Sequence, residues 1–292
     1  MHHVQGNQQW RAMFQLCRHR QLPSMPGDRE AACKVAGMHA NQAKKKLKAG
    51  EMVVGTYVRY AEPSIAELLC YLGYDFLMFD EEHAPIGERE CENLARVCEL
   101  TGVTSIVRVP SNQAWTIGRH LDMGIQGIQI PMINTGAEAL AAARAAKYAP
   151  LGTRGLAGSR AANYGQRLPF SYPEHIAKSN AETLVIVQVE TPEAIENLAA
   201  IVASPEIDVI FIGPNDLSLS LGHPGDLKHP VVQGVFEQIT DVVLKSDKAL
   251  GVLAATTESA IEWRSRGVRY ILGLFEAIMG PAIREHLKAV RA

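Results

Sequence analysis

The 292-residue sequence lacks most of the features that mark secreted, membrane-spanning and nucleic-acid-binding proteins. Its five cysteines include no C-x-x-C pair, and an odd number does not suit a framework of disulfide bonds. No apolar run approaches the roughly 20 residues that a helix needs to cross a bilayer. The formal net charge of -2 gives no electrostatic reason to expect nucleic acid or an anionic membrane as a partner. We therefore expect a cytoplasmic globular protein with reduced thiols and neither of these partners.

Three short motifs of common enzyme classes are also missing. The phosphate-binding pattern G-x-G-x-x-G does not occur between the first predicted strand and helix, which argues against a nucleotide-binding sheet. The sequence has neither the G-x-S-x-G segment of serine hydrolases nor the H-E-x-x-H segment of zinc proteases. What it does contain is 47% hydrophobic and 21% charged residues, proportions that are ordinary for a soluble globular enzyme.

The first forty residues differ in composition from the rest of the chain. Residues 2–20 are rich in Gln, His and Arg and lack the continuous apolar segment of a secretory signal. Regular patterning begins near Asn41. We therefore predict that 1–40 is a disordered extension, or lies upstream of a true start at Met38, with a mitochondrial presequence as the alternative. Residues 41–292 are predicted to form one catalytic domain.

From Glu51 onward, short apolar runs of β type alternate with amphipathic helical stretches. Near-continuous apolar strands separated by helices are typical of a parallel sheet that is covered on both faces. The predicted strands are 52–58, 75–80, 104–109, 127–131, 183–190, 208–212, 250–255 and 269–273. The predicted helices lie near 64–72, 88–100, 114–123, 136–147, 192–203, 231–246, 257–266 and 275–290. Eight such units predict a closed (β/α)₈ TIM barrel rather than an open sheet.

Local sequence signals support these helix boundaries. The segments 64–67 and 135–138 begin and end with the residues of a capping box. At 191–192 a threonine precedes a proline, as an N-cap residue precedes proline at the first helical position. Four helices are predicted to end at a glycine, because only glycine enters the left-handed conformation cheaply; these are Gly73, Gly102, Gly124 and Gly267. The segment 150–180 is the one long connection without a predicted element.

Polar residues stand at the carboxyl ends of several predicted strands, where barrel enzymes of this kind have their active sites. Strand two leads into the segment 80–83 (DEEH), and strand three ends at Arg108. Strand four ends near Gln129, strand five at 188–190 (QVE), and strand six opens into 213–216 (GPND). Lysine is absent from all eight strand ends, so a Schiff-base mechanism lacks its nucleophile.

Two carboxylates at neighbouring strand ends are candidate metal ligands. Glu190 and Asp216 would lie on one rim of the barrel, and two carboxylates with open positions for water suit Mg²⁺ or Mn²⁺. The alternative is structural: Glu190 would cap the next helix and Asp216 would cap a turn. The residues alone do not decide between these interpretations.

His83 and Arg108 are candidates for catalysis at the same rim. A single histidine is weak evidence, but His83 lies three residues after Asp80 in an acidic loop, which favours a functional interpretation over a structural one. Arg108 ends an apolar run, where an unpaired guanidinium would be costly. We therefore expect it to pair with a carboxylate, from a ligand or from Asp80 or Glu82, and the two kinds of pairing can coexist.

At these residues the sequence resembles the HpcH/HpaI aldolase family, the metal-dependent class II aldolases of 2-keto acids, which are related to citrate lyase. The resemblance covers roughly 41–292 and rests on six ordered motifs. They are 79–85 (FDEEHAP), 107–108 (VR), 130–132 (IPM), 148–155 (YAPLGTRG), 188–191 (QVET) and 211–218 (FIGPNDLS). The sequence departs from the family at Glu81, where many relatives have glycine, and in the loop 156–170. Both departures leave the aldehyde partner open.

The resemblance implies roles for the candidate residues. It implies that Glu190 and Asp216 ligate a divalent cation, Mg²⁺, Mn²⁺ or Co²⁺. It also implies that Arg108 contacts the keto oxygen of the substrate and that Asp80 and His83 form a proton-handling pair. Whether His83 or a water molecule held by the cation moves the proton stays open.

The resemblance further implies that Gln188 lies beside the pyruvate unit and that backbone amides near Asn215 and Asp216 hold its carboxylate. The expected function is the formation or cleavage of a carbon–carbon bond through a pyruvate-type enolate, which converts a 4-hydroxy-2-oxo acid to pyruvate and an aldehyde. The expected assembly is a homohexamer. The alternatives are an oxaloacetate decarboxylase of the macrophomate synthase type, a lyase acting on acyl-CoA, and a non-catalytic binding barrel.

Overall fold

A closed barrel of eight parallel strands forms the centre of the domain in the computed structural model, which describes residues 40–292. Except for Ala40, the predicted extension 1–40 lies outside the described residues. Each strand pairs with its neighbours in sequence, and the first closes against the last. The strands are β1 (Val53–Val58), β2 (Phe76–Asp80), β3 (Thr104–Arg108), β4 (Gly127–Ile130), β5 (Leu184–Val189), β6 (Val209–Ile212), β7 (Ala249–Leu253) and β8 (Tyr270–Leu274). The predicted (β/α)₈ TIM barrel is confirmed.

Helices alternate with the strands along the described chain. They are α1 (Gln42–Lys48), α2 (Pro63–Tyr71), α3 (Glu88–Thr101), α4 (Ala114–Asp122), α5 (Gly136–Ala146), α6 (Tyr172–Glu182), α7 (Pro192–Glu196), α8 (Leu198–Val202), α9 (Pro214–Ser220), α10 (Pro230–Leu244), α11 (Thr257–Ser265) and α12 (Phe275–Arg291). A 3₁₀ helix at Arg160–Gly165 precedes α6.

The strands are apolar on both faces because each face is covered. Alternate side chains point to opposite sides of a strand. In β2, Phe76 and Met78 belong to the apolar cluster inside the barrel, whereas Leu77 and Phe79 pack in the larger cluster between the barrel and the helices. The same alternation continues to the strand ends. It decides which polar residues face the mouth, the open carboxyl end of the barrel.

The helix boundaries follow the predicted signals at most positions. Thr135 Oγ1 accepts from the backbone N–H of Glu138, whose carboxylate accepts in return from that of Thr135, so this capping box is confirmed. Thr191 caps the first turn of α7 by accepting from the N–H of Ala194. The capping box predicted at 64–67 is wrong, because α2 begins one residue earlier, with Pro63 in its first turn and Glu62 as N-cap. All four predicted glycine stops have φ between 77° and 98°.

Three helical segments differ from the predicted pattern. The helix predicted at 192–203 is two short helices separated at Asn197. The long connection 150–180 contains most of α6, whose buried residues Ser179 and Asn180 are polar, so no apolar stripe marks it. The seven-residue α9 follows β6 directly and was also missed. In each case the helix is too short or too polar for hydrophobic periodicity to identify it.

The cysteines of the described part of the chain agree with the expectation of reduced thiols. Cys70, Cys91 and Cys98 are buried free thiols, as predicted. Among the helices from α1 to α12, none is long and apolar enough to cross a membrane.

Candidate active site

Strand alternation brings polar side chains from neighbouring strands into the carboxyl end of the barrel. In β2 the inward set of Phe76 and Met78 continues to Asp80, and in β3 the inward Ile106 is followed two residues later by Arg108. In β5 the inward Ile186 is followed in the same way by Gln188. These polar side chains are almost wholly buried. They therefore need partners inside the mouth.

Arg108 is held by two carboxylates and an aromatic ring. Its Nε and Nη2 donate to the two oxygens of Asp80 at 3.0 and 2.8 Å, and its Nη1 lies 3.1 Å from Oε2 of Glu82. The guanidinium carbon lies 4.6 Å from the centroid of the Tyr57 ring. The expected pairing with Asp80 or Glu82 is confirmed for both. A guanidinium has five N–H groups, so two remain for a ligand.

Asp80 also shapes the turn that carries His83. Its Oδ1 accepts from the backbone N–H groups of Glu82 and His83, each at 3.2 Å. The imidazole of His83 is half-exposed, and its Nε2 lies 3.8 Å from Oε2 of Glu82. Asp80 and His83 are thus joined through the backbone, and the carboxylate that the imidazole approaches is that of Glu82.

Glu190 follows β5 and is buried with both carboxylate oxygens bonded. Oε1 accepts from the backbone N–H of Met132 at 2.8 Å, and Oε2 accepts from the side-chain amide of Gln188 at 2.8 Å. The oxygen of that amide accepts in turn from Gln129. Met132 has a φ of 55°, a left-handed conformation that residues other than glycine rarely adopt. The orientation of Glu190 is therefore fixed by neighbouring strand ends.

Gly213 provides the space that Glu190 occupies. A β-carbon added at Gly213 would lie 2.1 Å from Oε2 of Glu190, so no larger residue fits without displacing the carboxylate. Helix α9 begins at the next residue, and its first turn carries Asn215 and Asp216 at the edge of the same mouth. The structure thus brings all seven predicted site residues to one end of the barrel.

Burial and mutual repulsion raise the pKa values of two carboxyl groups of the mouth, those of Glu190 and Glu82. Burial raises the pKa of Glu190, the bonds from Met132 and Gln188 oppose this, and the charges of Asp216 and Glu82 raise it further. Burial likewise raises the pKa of Glu82, which Arg108 lowers and the charges of Asp80 and Asp216 raise. Negative charge is therefore concentrated around Glu82, Glu190 and Asp216, a setting that favours a bound cation.

A cavity of about 220 Å³ lies among these groups. Its walls include Asp80, His83, Arg108 and Gln188, together with 213–216 at the start of α9. Pockets for drug-sized ligands hold roughly 300–1,000 Å³. The size therefore suits a small molecule, and the guanidinium of Arg108 suits an acid.

The sequence profile of the HpcH/HpaI aldolase/citrate lyase family matches residues 54–272. The chain belongs to this family. A curated hydroxypyruvate/pyruvate aldolase of Paraburkholderia phytofirmans is 34% identical over 86% of this chain and 98% of its own length. A 4-hydroxy-2-oxovalerate aldolase of Rhodococcus jostii is 35% identical over 79% of this chain and 88% of its own. The crystal structure of a family protein from Burkholderia cenocepacia, 33% identical, has a TM-score of 0.81 and covers 86% of this chain and 100% of that one.

The residues present fit the divalent cation that the resemblance to the HpcH/HpaI family implies. Glu190 is a buried carboxylate whose neighbours include the negative charges of Asp216 and Glu82. The missing side chain at Gly213 lets this carboxylate lie against the start of α9, the helix that carries Asp216. Carboxylate oxygens with space for water are the donors that Mg²⁺ and Mn²⁺ prefer.

Three groups of this family member's mouth were not singled out from the sequence. Glu82 was considered only as a partner of Arg108, although it also faces His83 and the other carboxylates. Tyr57 lies inside the barrel and contacts Arg108, but it belongs to an apolar strand whose sequence does not indicate this contact. The N–H of Met132 is a backbone group whose direction depends on an unusual φ. Only the alternation in β1 could have indicated that Tyr57 faces inward.

Proposed function

We propose that this protein is a divalent-metal-dependent aldolase, which forms or cleaves a carbon–carbon bond through the enolate of a 2-keto acid. The observation that carries the proposal is a small cavity with Arg108 at one wall and the Glu190–Asp216 carboxylates beside it. Relatives named hydroxypyruvate/pyruvate aldolase and 4-hydroxy-2-oxovalerate aldolase support a pyruvate-type nucleophile. The reaction would convert a 4-hydroxy-2-oxo acid to pyruvate and an aldehyde.

Charge explains why this set of residues suits enolate chemistry. Cleaving the aldol, or removing a methyl proton from pyruvate, leaves an enolate with negative charge on its oxygen. The two remaining N–H groups of Arg108 stabilise that oxygen, and Asp80 holds the guanidinium in place. Glu190 and Asp216 would hold the cation, which supplies Lewis-acid polarisation of the keto group.

His83 and Glu82 are the groups that we propose for proton transfer. His83 is half-exposed at the mouth, so it can take a proton from the methyl carbon of pyruvate or from the hydroxyl that becomes the aldehyde. Glu82 lies beside it and beside Arg108, so it can orient the imidazole. Asp80 contributes through the turn that carries His83.

Substrate binding is assigned to groups on three neighbouring strand ends. Gln188 is fixed by its bonds to Gln129 and Glu190, so its position beside the keto acid needs no further ordering. We propose that the backbone amides near Asn215 and Asp216 hold the carboxylate of the substrate. We further propose Mg²⁺, Mn²⁺ or Co²⁺ as the cation, a homohexameric assembly and a cytoplasmic location.

The first test is exchange of the pyruvate methyl protons for deuterium from the solvent. We expect the cation-loaded protein to catalyse this exchange without any aldehyde, because enolisation is the half-reaction that all the proposed roles serve. Arg108→Ala should slow exchange by about 10²–10³, the usual effect of losing one oxyanion donor. Proton NMR of the methyl signal measures the rate.

Controls separate this effect from unfolding. Arg96→Ala removes an exposed arginine on the outer face of α3 and should leave exchange unchanged. Arg108→Lys keeps the charge but not the bidentate pair with Asp80, and circular dichroism checks that each variant folds. Absence of exchange above the background of the cation alone would refute a pyruvate nucleophile. Release of carbon dioxide from oxaloacetate far faster than aldol turnover would favour the decarboxylase instead.

A further inference from the structure

Glu81, Cys91 and His120 meet on the outer side of the barrel, behind the acidic loop. Glu81 follows β2, while Cys91 lies in α3 and His120 in α4. Oε2 of Glu81 lies 2.7 Å from Nε2 of His120, and Sγ of Cys91 lies 3.4 Å from Oε1 of Glu81. One oxygen, one sulfur and one nitrogen of these side chains all lie within 4.8 Å of one another.

These side chains are buried, although each carries a polar or titratable group. Cys91 and His120 are fully buried, and the Glu81 side chain is 8% exposed. Within the described range 40–292, Glu81 forms one ion pair, with His120. Its neighbours Asp80 and Glu82 both contact Arg108 instead. A buried carboxylate needs an opposite charge or hydrogen bonds to offset the cost of its burial.

The hydrogen bonding of His120 leaves one ring nitrogen aimed at this cluster. Nδ1 lies 2.8 Å from the backbone oxygen of Thr116, and a carbonyl oxygen only accepts, so Nδ1 carries a proton. Nε2 is buried and close to Oε2 of Glu81, but it makes no aligned hydrogen bond there. A lone pair on Nε2 would repel that oxygen, so this pair must hold either a proton or a metal cation. Histidines that ligate metals typically donate their other N–H to a carbonyl in this way.

We propose that Glu81, Cys91 and His120 bind a transition-metal cation of the zinc class, at a structural site separate from the catalytic one. Carboxylate oxygen, thiolate sulfur and imidazole nitrogen are all zinc ligands, and the second oxygen of Glu81 or a water completes four-coordination. At zinc bond lengths of about 2.0 Å to oxygen and nitrogen, the 2.7 Å separation of Oε2 and Nε2 would widen by about half an ångström on binding.

Cation binding exchanges a proton for a metal bond at Cys91. Without the cation, the Cys91 thiol keeps its proton and donates it to Oε1 of Glu81. Burial, with the charge of Glu81, raises the pKa of this thiol. When the sulfur–metal bond forms, that proton leaves for the solvent, so the affinity increases with pH. The bound cation would fasten the acidic loop to α3 and α4.

Sulfur distinguishes this site from the catalytic one, whose donors are oxygens. Cobalt(II) added to the full-length protein should give a near-ultraviolet thiolate-to-cobalt charge-transfer band. The band should be lost in Cys91→Ser. It should persist in Cys98→Ser, which changes another buried thiol, and in Glu190→Gln, which changes the catalytic carboxylate. Circular dichroism confirms the fold of each variant.

Two further measurements keep the test decisive. X-ray absorption of the zinc-loaded wild-type protein should show one sulfur bound directly to zinc. If Cys91→Ser does not fold, Glu81→Gln replaces it, and the loss of the cobalt band in that variant supports the site. A cobalt band that survives Cys91→Ser, or an unchanged band in Glu81→Gln, overturns the proposal. Zinc bound by oxygen and nitrogen alone would also overturn it and leave the cluster as a hydrogen-bonded anchor for the loop.

Discussion

Gly213 is the residue whose smallness most directly affects the mouth. Its position allows Glu190 to lie against the start of α9, because a β-carbon there would lie 2.1 Å from Oε2. We predict that Gly213→Ala displaces this carboxylate and weakens binding of the divalent cation by roughly 10–100-fold, the range seen when the partners that orient a ligand are removed. Isothermal titration calorimetry measures the change.

Gly155→Ala is the matched control for Gly213→Ala. Gly155 lies in the long connection after α5, and no atom lies within 4 Å of an added β-carbon there. The affinity of Gly155→Ala for the divalent cation should equal that of the wild type. Equal affinity in Gly213→Ala as well would show that Glu190 does not ligate the cation in the orientation described.

The raised pKa of Glu190 gives a second prediction, for the cation-free protein. A folded carboxyl with a raised pKa stabilises the protein fully below its ordinary value of 4.5, and this contribution is lost as pH rises through the raised value. Glu190→Gln lacks the titration. We therefore predict that this variant gains unfolding free energy relative to wild type as pH increases from 4.5 towards neutrality, as measured by urea denaturation.

The exposed Glu237 on α10 supplies the control for this pH dependence. Glu237→Gln should follow the wild-type profile of unfolding free energy, since Glu237 is exposed and makes none of the contacts that surround Glu190. A constant difference between Glu190→Gln and wild type across this pH range would contradict the assigned burial effect. With a saturating divalent cation, the order should reverse near neutral pH, because the cation binds the carboxylate and not the amide.

At the residue scale, the sequence predicted the members of the mouth better than their contacts. Asp80, Arg108 and Gln188 follow from alternation, because each continues an inward set of its strand. Glu82 lies in a turn beyond the end of β2, so its pairing with Arg108 was expected but its approach to His83 was not. Glu81, Cys91 and His120 come together only when α3 and α4 pack side by side, and no local pattern encodes that packing.

At the element scale, glycine at helix ends gives a prediction with an internal control. Gly102 ends α3 with φ 77°, and an added β-carbon would meet no atom within 4 Å. Gly102→Ala should therefore lose about 1–2 kcal/mol of unfolding free energy from backbone strain alone. Gly118 lies inside α4, also in open space, and Gly118→Ala should gain about 0.5–1 kcal/mol. Denaturant unfolding that shows both changes with the same sign would contradict this assignment.

The elements that the sequence predicted well are those with strong periodicity or clear end signals. The eight strands are nearly continuous apolar runs, and α5 carries a capping box that is visible in the sequence. Helices α7 and α8 were predicted as one helix. In the structure they are separated at Asn197, whose side chain donates to the backbone oxygens of Asn134 and Glu193. Such competition between a side chain and the helix depends on a neighbouring loop.

At the scale of the whole molecule, α12 presents an apolar stripe to the solvent. None of its residues is buried, and Met279, Ile283, Leu287 and Val290 recur at helical spacing. A contiguous exposed stripe of this kind marks an interface. We predict that Ile283→Asp converts the proposed homohexamer to smaller species, as measured by light scattering.

Glu285 lies on the opposite face of α12 and provides the control. Glu285→Ala should keep the wild-type mass, because its side chain is outside the apolar stripe. A wild-type protein that is monomeric at micromolar concentration would refute the proposed assembly. An unchanged mass in Ile283→Asp would place the interface elsewhere.

The three consecutive carboxylates 80–82, at the end of β2 and just beyond it, contact two separate groups of residues. Asp80 and Glu82 contact Arg108, whereas the carboxylate between them turns outward to His120. All three side chains are carboxylates, so the direction of each one depends on its position along the chain and not on its chemistry. Exchanging aspartate for glutamate here would keep the charges on their sides, but deleting one residue would move a charge from one neighbourhood to the other. We therefore expect natural variation in this segment to occur by substitution and not by insertion or deletion.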